Sequence, residues 1–213
     1  KDGISLRYAN FTIVMNKKTR MAIYAALNID RKKMKIRNKM GMKNRQDPRI
    51  GNEFQLNNAY YKNNPWDKGH MTRRHMAQWG DTQSLVDIAS KHTLYYTNIC
   101  PQHSKFNKYE WTNLEAWVQK DMEIINSNKM TVFTGPIFEK KIFSIHPKNN
   151  PLVIIPSAFF KVVYFMDHQD NIKIYAFIME HNVYSPLVNV NPKDFLVSLD
   201  EVEKRTKLRF HQV

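Results

Sequence analysis

The sequence predicts a single α+β domain over residues 1–213, with a central, mostly antiparallel sheet flanked by helices. Size, composition and the order of hydrophobic periodicities carry that expectation. A chain of 213 residues matches one domain. Its 42% hydrophobic and 12% aromatic residues supply a core, which excludes disorder for most of its length. Strand-like runs alternate with helix-like ones, and no repeat, low-complexity tract or linker divides them.

The first elements are Phe11 to Met15 and Met21 to Ile29, two apolar and β-branched runs around the polar cluster Asn16-Lys17-Lys18-Thr19. That pattern predicts a hairpin. A stretch rich in Asn and Tyr, Asn52 to Asn64, ends at Pro65 and predicts irregular structure. Trp111, Leu114, Val118, Met122 and Ile125 then recur at helical spacing, with Ser104 as a candidate N-cap. A helix from about Lys105 to Asn126 is expected. Met130 to Thr134, Leu152 to Ile155, Ala158 to Met166 and Lys173 to Met179 predict strands of the central sheet. Finally, Pro192 to Arg205 carries Phe195, Leu196, Leu199 and Val202 on one helical face, with Asp194 near its start, and predicts a closing helix.

Charge is the strongest compositional signal. Lys and Arg number 33 against 19 Asp and Glu, a net +14, so the expected partner is a polyanion. Between Arg31 and Arg49, Asp47 is the sole acid among nine cations: Arg31, Lys32, Lys33, Lys35, Arg37, Lys39, Lys43, Arg45 and Arg49. Such a run could neutralise phosphates, although anionic lipid or simple solvation would also satisfy it. Met34, Ile36, Met40 and Met42 fit the apolar stripe of a membrane-surface helix poorly. No segment reaches the roughly 18 uninterrupted apolar residues of a membrane helix, so no span is expected. A lone Cys100 closes no internal disulfide and leans toward a reducing compartment; the expected location is bacterial intracellular, with secretion as the alternative. The first residue, Lys1, reads as the start of a processed chain or of a piece of a longer one.

Two short segments separate this chain from a generic basic protein. One is Trp66-Asp67-Lys68-Gly69-His70. The other is Thr97-Asn98-Ile99-Cys100-Pro101-Gln102-His103-Ser104-Lys105-Phe106-Asn107, continuing to Trp111, Leu114 and Glu115. An imidazole such as His70 titrates near pH 6.5 and can accept a proton at physiological pH. A neutral oxygen donor such as Asn107 suits Mg²⁺, which keeps several waters. On a helix, Asn107, Trp111 and Glu115 at i, i+4 and i+8 share one face.

Together these segments resemble the DNA/RNA non-specific endonuclease family of ββα-metal (His-Me finger) nucleases. Its hallmark is Asp-Arg-Gly-His followed by Thr/Ser-Asn-x-x-Pro-Gln, Asn, Trp and Leu-Glu. Asn10 to Met15, Asn28-Ile29-Asp30, Asp47-Pro48-Arg49, Thr134-Gly135-Pro136, Ile155 to Val162 and Asp200 to Thr206 extend the resemblance over nearly the whole chain.

The resemblance implies a one-metal hydrolysis of DNA and RNA, largely indifferent to base identity, that leaves 5′-phosphate ends. In that frame His70 is the general base, Asn107 the direct ligand of Mg²⁺ (with Mn²⁺ as a substitute), Glu115 the holder of water at the metal, and Asn98 a further polar site residue. Where the family usually has Arg, Lys68 keeps the charge without the bidentate fork. Arg73 ranks first for phosphate contact, with Asp67, Arg74 and Arg49 also on the substrate side. The implied partners are nucleic acid, an inhibitor or autoinhibitory region that restrains the enzyme, and a second copy in a homodimer.

The alternative is a catalytically impaired basic module that binds nucleic acid, with Lys68 as the mark of decay. It leaves His70, Asn98, Asn107 and Glu115 occurring together unexplained. A zinc site from His70, His75 and His103 lacks a thiolate or a His pair at i, i+4. Trp66, Trp79, Tyr95 and Tyr96 could stack on bases but read more simply as core.

Overall fold

Alternation along the strands divides the apolar residues between two faces of one sheet. In the computed structural model, which describes residues 3–36, 41–121, 126–139, 143–184 and 190–211, the strands are β1 (Gly3–Arg7), β2 (Phe11–Asn16), β3 (Met21–Asp30), β4 (Trp66–His70), β5 (Ile99–His103), β6 (Lys129–Ile137), β7 (Ser144–Ile145), β8 (Val153–Ile154), β9 (Ala158–Met166), β10 (Ile172–Glu180) and β11 (Leu196–Val197). Seven of them form the sheet β1-β2-β3-β6-β9-β10-β11, antiparallel at every pairing. The β2–β3 hairpin is closed by Asn16, whose Oδ1 accepts from the amides of Lys18 and Thr19 at 2.9 and 3.2 Å.

The helices are α1 (Arg74–Ala77), α2 (Gln83–His92), α3 (Ser104–Phe106), α4 (Thr112–Lys120) and α5 (Leu199–Thr206), with a π turn at Asn107–Trp111 joining α3 to α4. One sheet face, carrying Phe159, Val163 and Phe165, packs against Phe106, Trp111, Leu114 and Val118 of the 104–120 run and against Ile99 and Cys100 of β5. The other face, with Phe160 and Val162, is covered by Val202 of α5 and by Leu208 and Phe210.

Four expectations are corrected. Ser104 is the first helical residue, with His103 at the cap position and no side-chain cap bond. The helix expected to reach Asn126 ends at Lys120, where Asp121 turns to an extended ψ of 131°. Its last carbonyls, of Val118 and Gln119, accept from the Arg31 guanidinium at 3.5 and 3.1 Å. Met122 and Ile125 lie outside the described residues.

Leu152 to Ile155 does not join the central sheet; β8 pairs with β7 in a separate ribbon. The expected closing helix splits in three because two caps interrupt it. Asn191 caps a 3₁₀ turn at Pro192–Phe195, β11 pairs with β10, and Ser198 Oγ accepts from Glu201 N at 3.1 Å to start α5. Phe195 packs on the first face and Val202 in the second core.

Candidate active site

Strand β4 pairs with β5 so that His70 lies opposite Ile99 and Gly69 opposite Cys100. Gly69 is required here by space: a Cβ would collide with the buried side chain of Gln102. From β5 the chain passes directly into α3, giving a strand–strand–helix unit that carries the motif residues of both segments.

The π turn sets the helix face. Phe106 and Trp111, five residues apart, stack with centroids 6.0 Å apart, whereas an α-helix would put them about 140° apart around the axis. Accommodating one extra residue brings them together, and Thr112 Oγ1 donates to the Asn107 carbonyl at 2.7 Å. Asn107 and Glu115, about 80° apart on a continuous α-helix, are thereby rotated toward one side. Both open on the same cleft.

That cleft, of about 250 Å³, is lined by Lys68, His70, Arg73, Arg74, His75, Leu94, Asn107, Trp111 and Glu115. Asn107 Nδ2 donates to Asp67 Oδ2 at 3.3 Å, which leaves its Oδ1 as an acceptor. Arg73 Nε stands 3.8 Å from Glu115 Oε2. Among the described residues three buried polar atoms here make no hydrogen bond of good geometry, Arg73 Nη1, Glu115 Oε1 and Trp111 Nε1, although the Trp111 indole is close enough to favour the charged form of Glu115. Burial pushes the Glu115 carboxyl up, against the pull of Lys161 and Arg73. His75 is pushed down, by burial first and then by Arg74 and Arg73.

The structure thus brings six of the nine expected residues to one cleft: His70, Glu115, Arg73, Lys68, Arg74 and Asn107. Lys68 is seated, its Nζ donating to Asn58 Oδ1 at 2.7 Å and lying 5.7 and 5.6 Å from the ring centroids of Tyr61 and Tyr96. The other three are placed differently. Asn98 is fully buried, accepting from Thr72 N at 2.8 Å and donating to the carbonyls of Thr72 and Thr93 at 3.0 Å each. It clamps the turn that follows His70. Asp67, expected on the substrate side, stands behind Asn107 and orients it, as suits a carboxylate that would repel phosphate. Arg49, also expected to touch substrate, is not among the cleft residues. Its guanidinium is committed to Asp47, at 2.6 Å, and to the Arg7 carbonyl, at 2.8 Å.

Lys161, which belongs to neither motif segment, has its Nζ 4.8 Å from the centroid of the Trp111 ring. Its signal in the sequence is a lysine inside an otherwise apolar strand. His103, weighed as a zinc ligand, packs instead against Trp66, with its amide donating to His181 Nε2 at 2.7 Å.

The donor set fits a hard divalent cation. The bond from Asn107 Nδ2 to Asp67 leaves the amide oxygen as an acceptor, and Glu115 Oε1 has no hydrogen bond of good geometry among the described residues. Among the described residues no group of three His, Cys, Asp or Glu converges, so such an ion would rest on the Asn107 oxygen and on water, with Glu115 placed to hold that water.

Known proteins bear the fold out. A chain of the EndoG/EndoGI complex crystal structure superposes with a TM-score of 0.78 over 99% of this chain and 87% of that one, at 20% identity, so the fold is ββα-metal. Serratia marcescens Nuclease is 30% identical over 142 residues, 64% of this chain and 49% of that protein. Human mitochondrial Endonuclease G is 25% identical over 154 residues, 68% of this chain and 48% of that protein. An uncharacterized Sinorhizobium fredii protein, y4fB, is 28% identical over 190 residues, 84% of this chain but 28% of its own length. The chain therefore spans about half or less of these curated relatives. Its residues 1–213 match the family profile throughout, and the chain belongs to the DNA/RNA non-specific endonuclease family.

Proposed function

We propose that this chain is a metal-dependent endonuclease that hydrolyses phosphodiester bonds of DNA and RNA without sequence preference and leaves 5′-phosphate ends. One observation carries the reading: His70, Asn107, Glu115 and Arg73 line one cleft, where buried atoms of Arg73 and Glu115 make no hydrogen bond of good geometry among the described residues. His70 takes the proton from the attacking water. Arg73, with Lys68 and Arg74 around the cleft, binds the phosphate and offsets its growing negative charge. Glu115 orients water, and Asp67 keeps the Asn107 amide turned so that its oxygen faces a cation. A divalent ion there, Mg²⁺ with Mn²⁺ as substitute, supplies Lewis-acid stabilisation of the phosphate and the leaving oxygen.

A nuclease without sequence preference endangers its own cell, so restraint by an inhibitor or by further polypeptide belongs to this reading, as does pairing into a homodimer. EndoG has been crystallised in complex with EndoGI, a structure concerned with its inhibition. The test is digestion of supercoiled plasmid and single-stranded RNA by the chain and by His70→Ala, each with Mg²⁺ and with EDTA. Metal-dependent cleavage lost in the variant is the expected result. Binding without cutting under every divalent metal would overturn it in favour of a non-catalytic module.

A further inference from the structure

Two imidazoles line the cleft, and the chemistry proposed above uses only His70. The other, His75, is the second residue of α1, and its backbone is anchored. Its carbonyl accepts from Gln78 N at 3.3 Å, Met76 and Ala77 beyond it are buried, and Asn10 Nδ2 donates to the Ala77 carbonyl at 2.8 Å. Arg74 Nη2 lies 3.0 Å from His75 Nε2. A guanidinium is always protonated and can only donate, so Nε2 is the acceptor and the imidazole is neutral, with its proton on Nδ1. A protonated ring would set two donors against each other at that distance. Burial first, and then Arg74 and Arg73, favour the same neutral form.

We propose that His75 is a positioning residue of the cleft: as a neutral acceptor it fixes the Arg74 guanidinium without cancelling its charge, so that Arg74 takes a phosphate of the substrate. A carboxylate at this position would hold the guanidinium equally well but would answer its charge, as Asp47 does for Arg49. Arg73 already stands 3.8 Å from the Glu115 carboxylate. With both imidazoles neutral, Lys68, Arg73 and Arg74 line the cleft against Glu115 alone, a positive surplus suited to a polyanion. An imidazole turns about fewer bonds than an arginine, so a short ring on an anchored helix restrains the long side chain in advance and lowers the entropy that phosphate binding would cost. The phosphate role rests on the nuclease reading above; the hydrogen bond does not.

Long-range proton–nitrogen correlation spectra of the histidine rings read the tautomer without metal or substrate, with His75→Gln to assign the signal. At neutral pH the His75 ring should be uncharged and protonated on Nδ1; a ring protonated on Nε2 overturns the bond. Binding of a fluorescein-labelled single-stranded DNA oligonucleotide in EDTA then reports affinity apart from cleavage. His75→Ala should raise Kd about fivefold, the scale of one hydrogen bond, whereas His75→Gln, which keeps a neutral acceptor, should stay within about twofold of the parent. Arg74→Gln should lower the salt slope of binding by about one phosphate contact, and adding His75→Ala to it should cost nothing further. Should His75→Ala not fold, His75→Phe, which fills the space without an acceptor, takes its place in the cycle. Additive losses, or equal losses in His75→Gln and His75→Ala, overturn the positioning role. No binding by the parent overturns it too, whereas binding without cleavage under any divalent metal overturns only the nuclease reading.

Discussion

Two arginine–carboxylate pairs in this molecule have opposite fates. Arg49 and Asp47 are saturated: Asp47 is fully buried, accepts from Arg49 Nε and Nη2 at 3.0 and 2.6 Å, and takes a further bond from the Tyr8 hydroxyl at 2.7 Å. Burial pushes the Asp47 carboxyl up, but the bonds from Arg49 and Tyr8 outweigh it and hold it below its ordinary range. Arg73 and Glu115 are left open, at 3.8 Å with an orphaned atom on each side, and burial prevails at Glu115. The first pair closes a loop onto the sheet. The second leaves polar atoms without good hydrogen-bond geometry among the described residues, in the cleft that carries the proposed chemistry.

The widest separation between these pairs is catalytic. His70→Ala, beside the open pair, should lower the cleavage rate by about 10³-fold, the scale of a lost general base. Plasmid nicking measured against an unchanged melting temperature checks it, and a rate within tenfold of the parent would remove His70 from the mechanism.

The next effect is on stability and depends on pH. His181 joins the strand–strand–helix unit to the sheet, with Nδ1 donating to the Pro156 carbonyl at 2.9 Å and Nε2 accepting from His103 N. Protonating it would set two donors against each other. Burial lowers its pKa from 6.5 to about 4. The unfolded chain therefore binds the proton first. This contribution is complete above pH 6.5 and declines as pH falls toward 4, by about 3 kcal/mol in all. Urea unfolding at pH 7 and 4.5 should show the decline, and His181→Gln should flatten it.

Exchanging the two arginines breaks the comparison directly. Arg49→Ala should cost roughly 2 kcal/mol in urea unfolding, below the usual figure for a fully buried pair because its side chain is 46% exposed, with cleavage retained. Arg73→Ala should do the reverse, lowering cleavage about 10²-fold with little change in stability. Equal losses of activity in both would place Arg49 in the substrate path after all.

These pairs also mark what was legible. Asp47-Pro48-Arg49 and Asp67-Lys68-Gly69-His70 read alike as short charged motifs, and nothing local says which guanidinium Asp47 will consume. That depends on Tyr8, 39 residues earlier in the chain. The motif residues that reach the cleft were legible because strand pairing and one helix bring them there. The π turn was not, since it arises from Phe106 and Trp111 packing on the same ring, that of Phe159. Helix α2 carries no amphipathic signal in the sequence because Leu85 and Ile88 are exposed and its buried face is only Val86, Ala89 and Ser90. The basic run dispersed: Arg31 caps a helix, Lys33 pairs with Asp81 and Arg45 lies over Tyr95, while Arg37 and Lys39 lie outside the described residues.

The smallest expected effect sharpens the open side of the comparison. Lys68 stands where the family usually has Arg, yet its ammonium is held by Asn58 Oδ1 and lies near the rings of Tyr61 and Tyr96. A guanidinium can occupy the same seat, since both groups are attracted to aromatic faces, and would add a second donor toward phosphate. Lys68→Arg should therefore raise cleavage by no more than about tenfold, worth about 1.4 kcal/mol, with no change in the salt dependence of binding because the charge is kept. Lys68→Gln should lower that salt slope by about one phosphate contact and weaken cleavage. A fall in rate for the arginine variant would mean that the aromatic seat is shaped for an ammonium, and that phosphate is gripped from the Arg73 side alone.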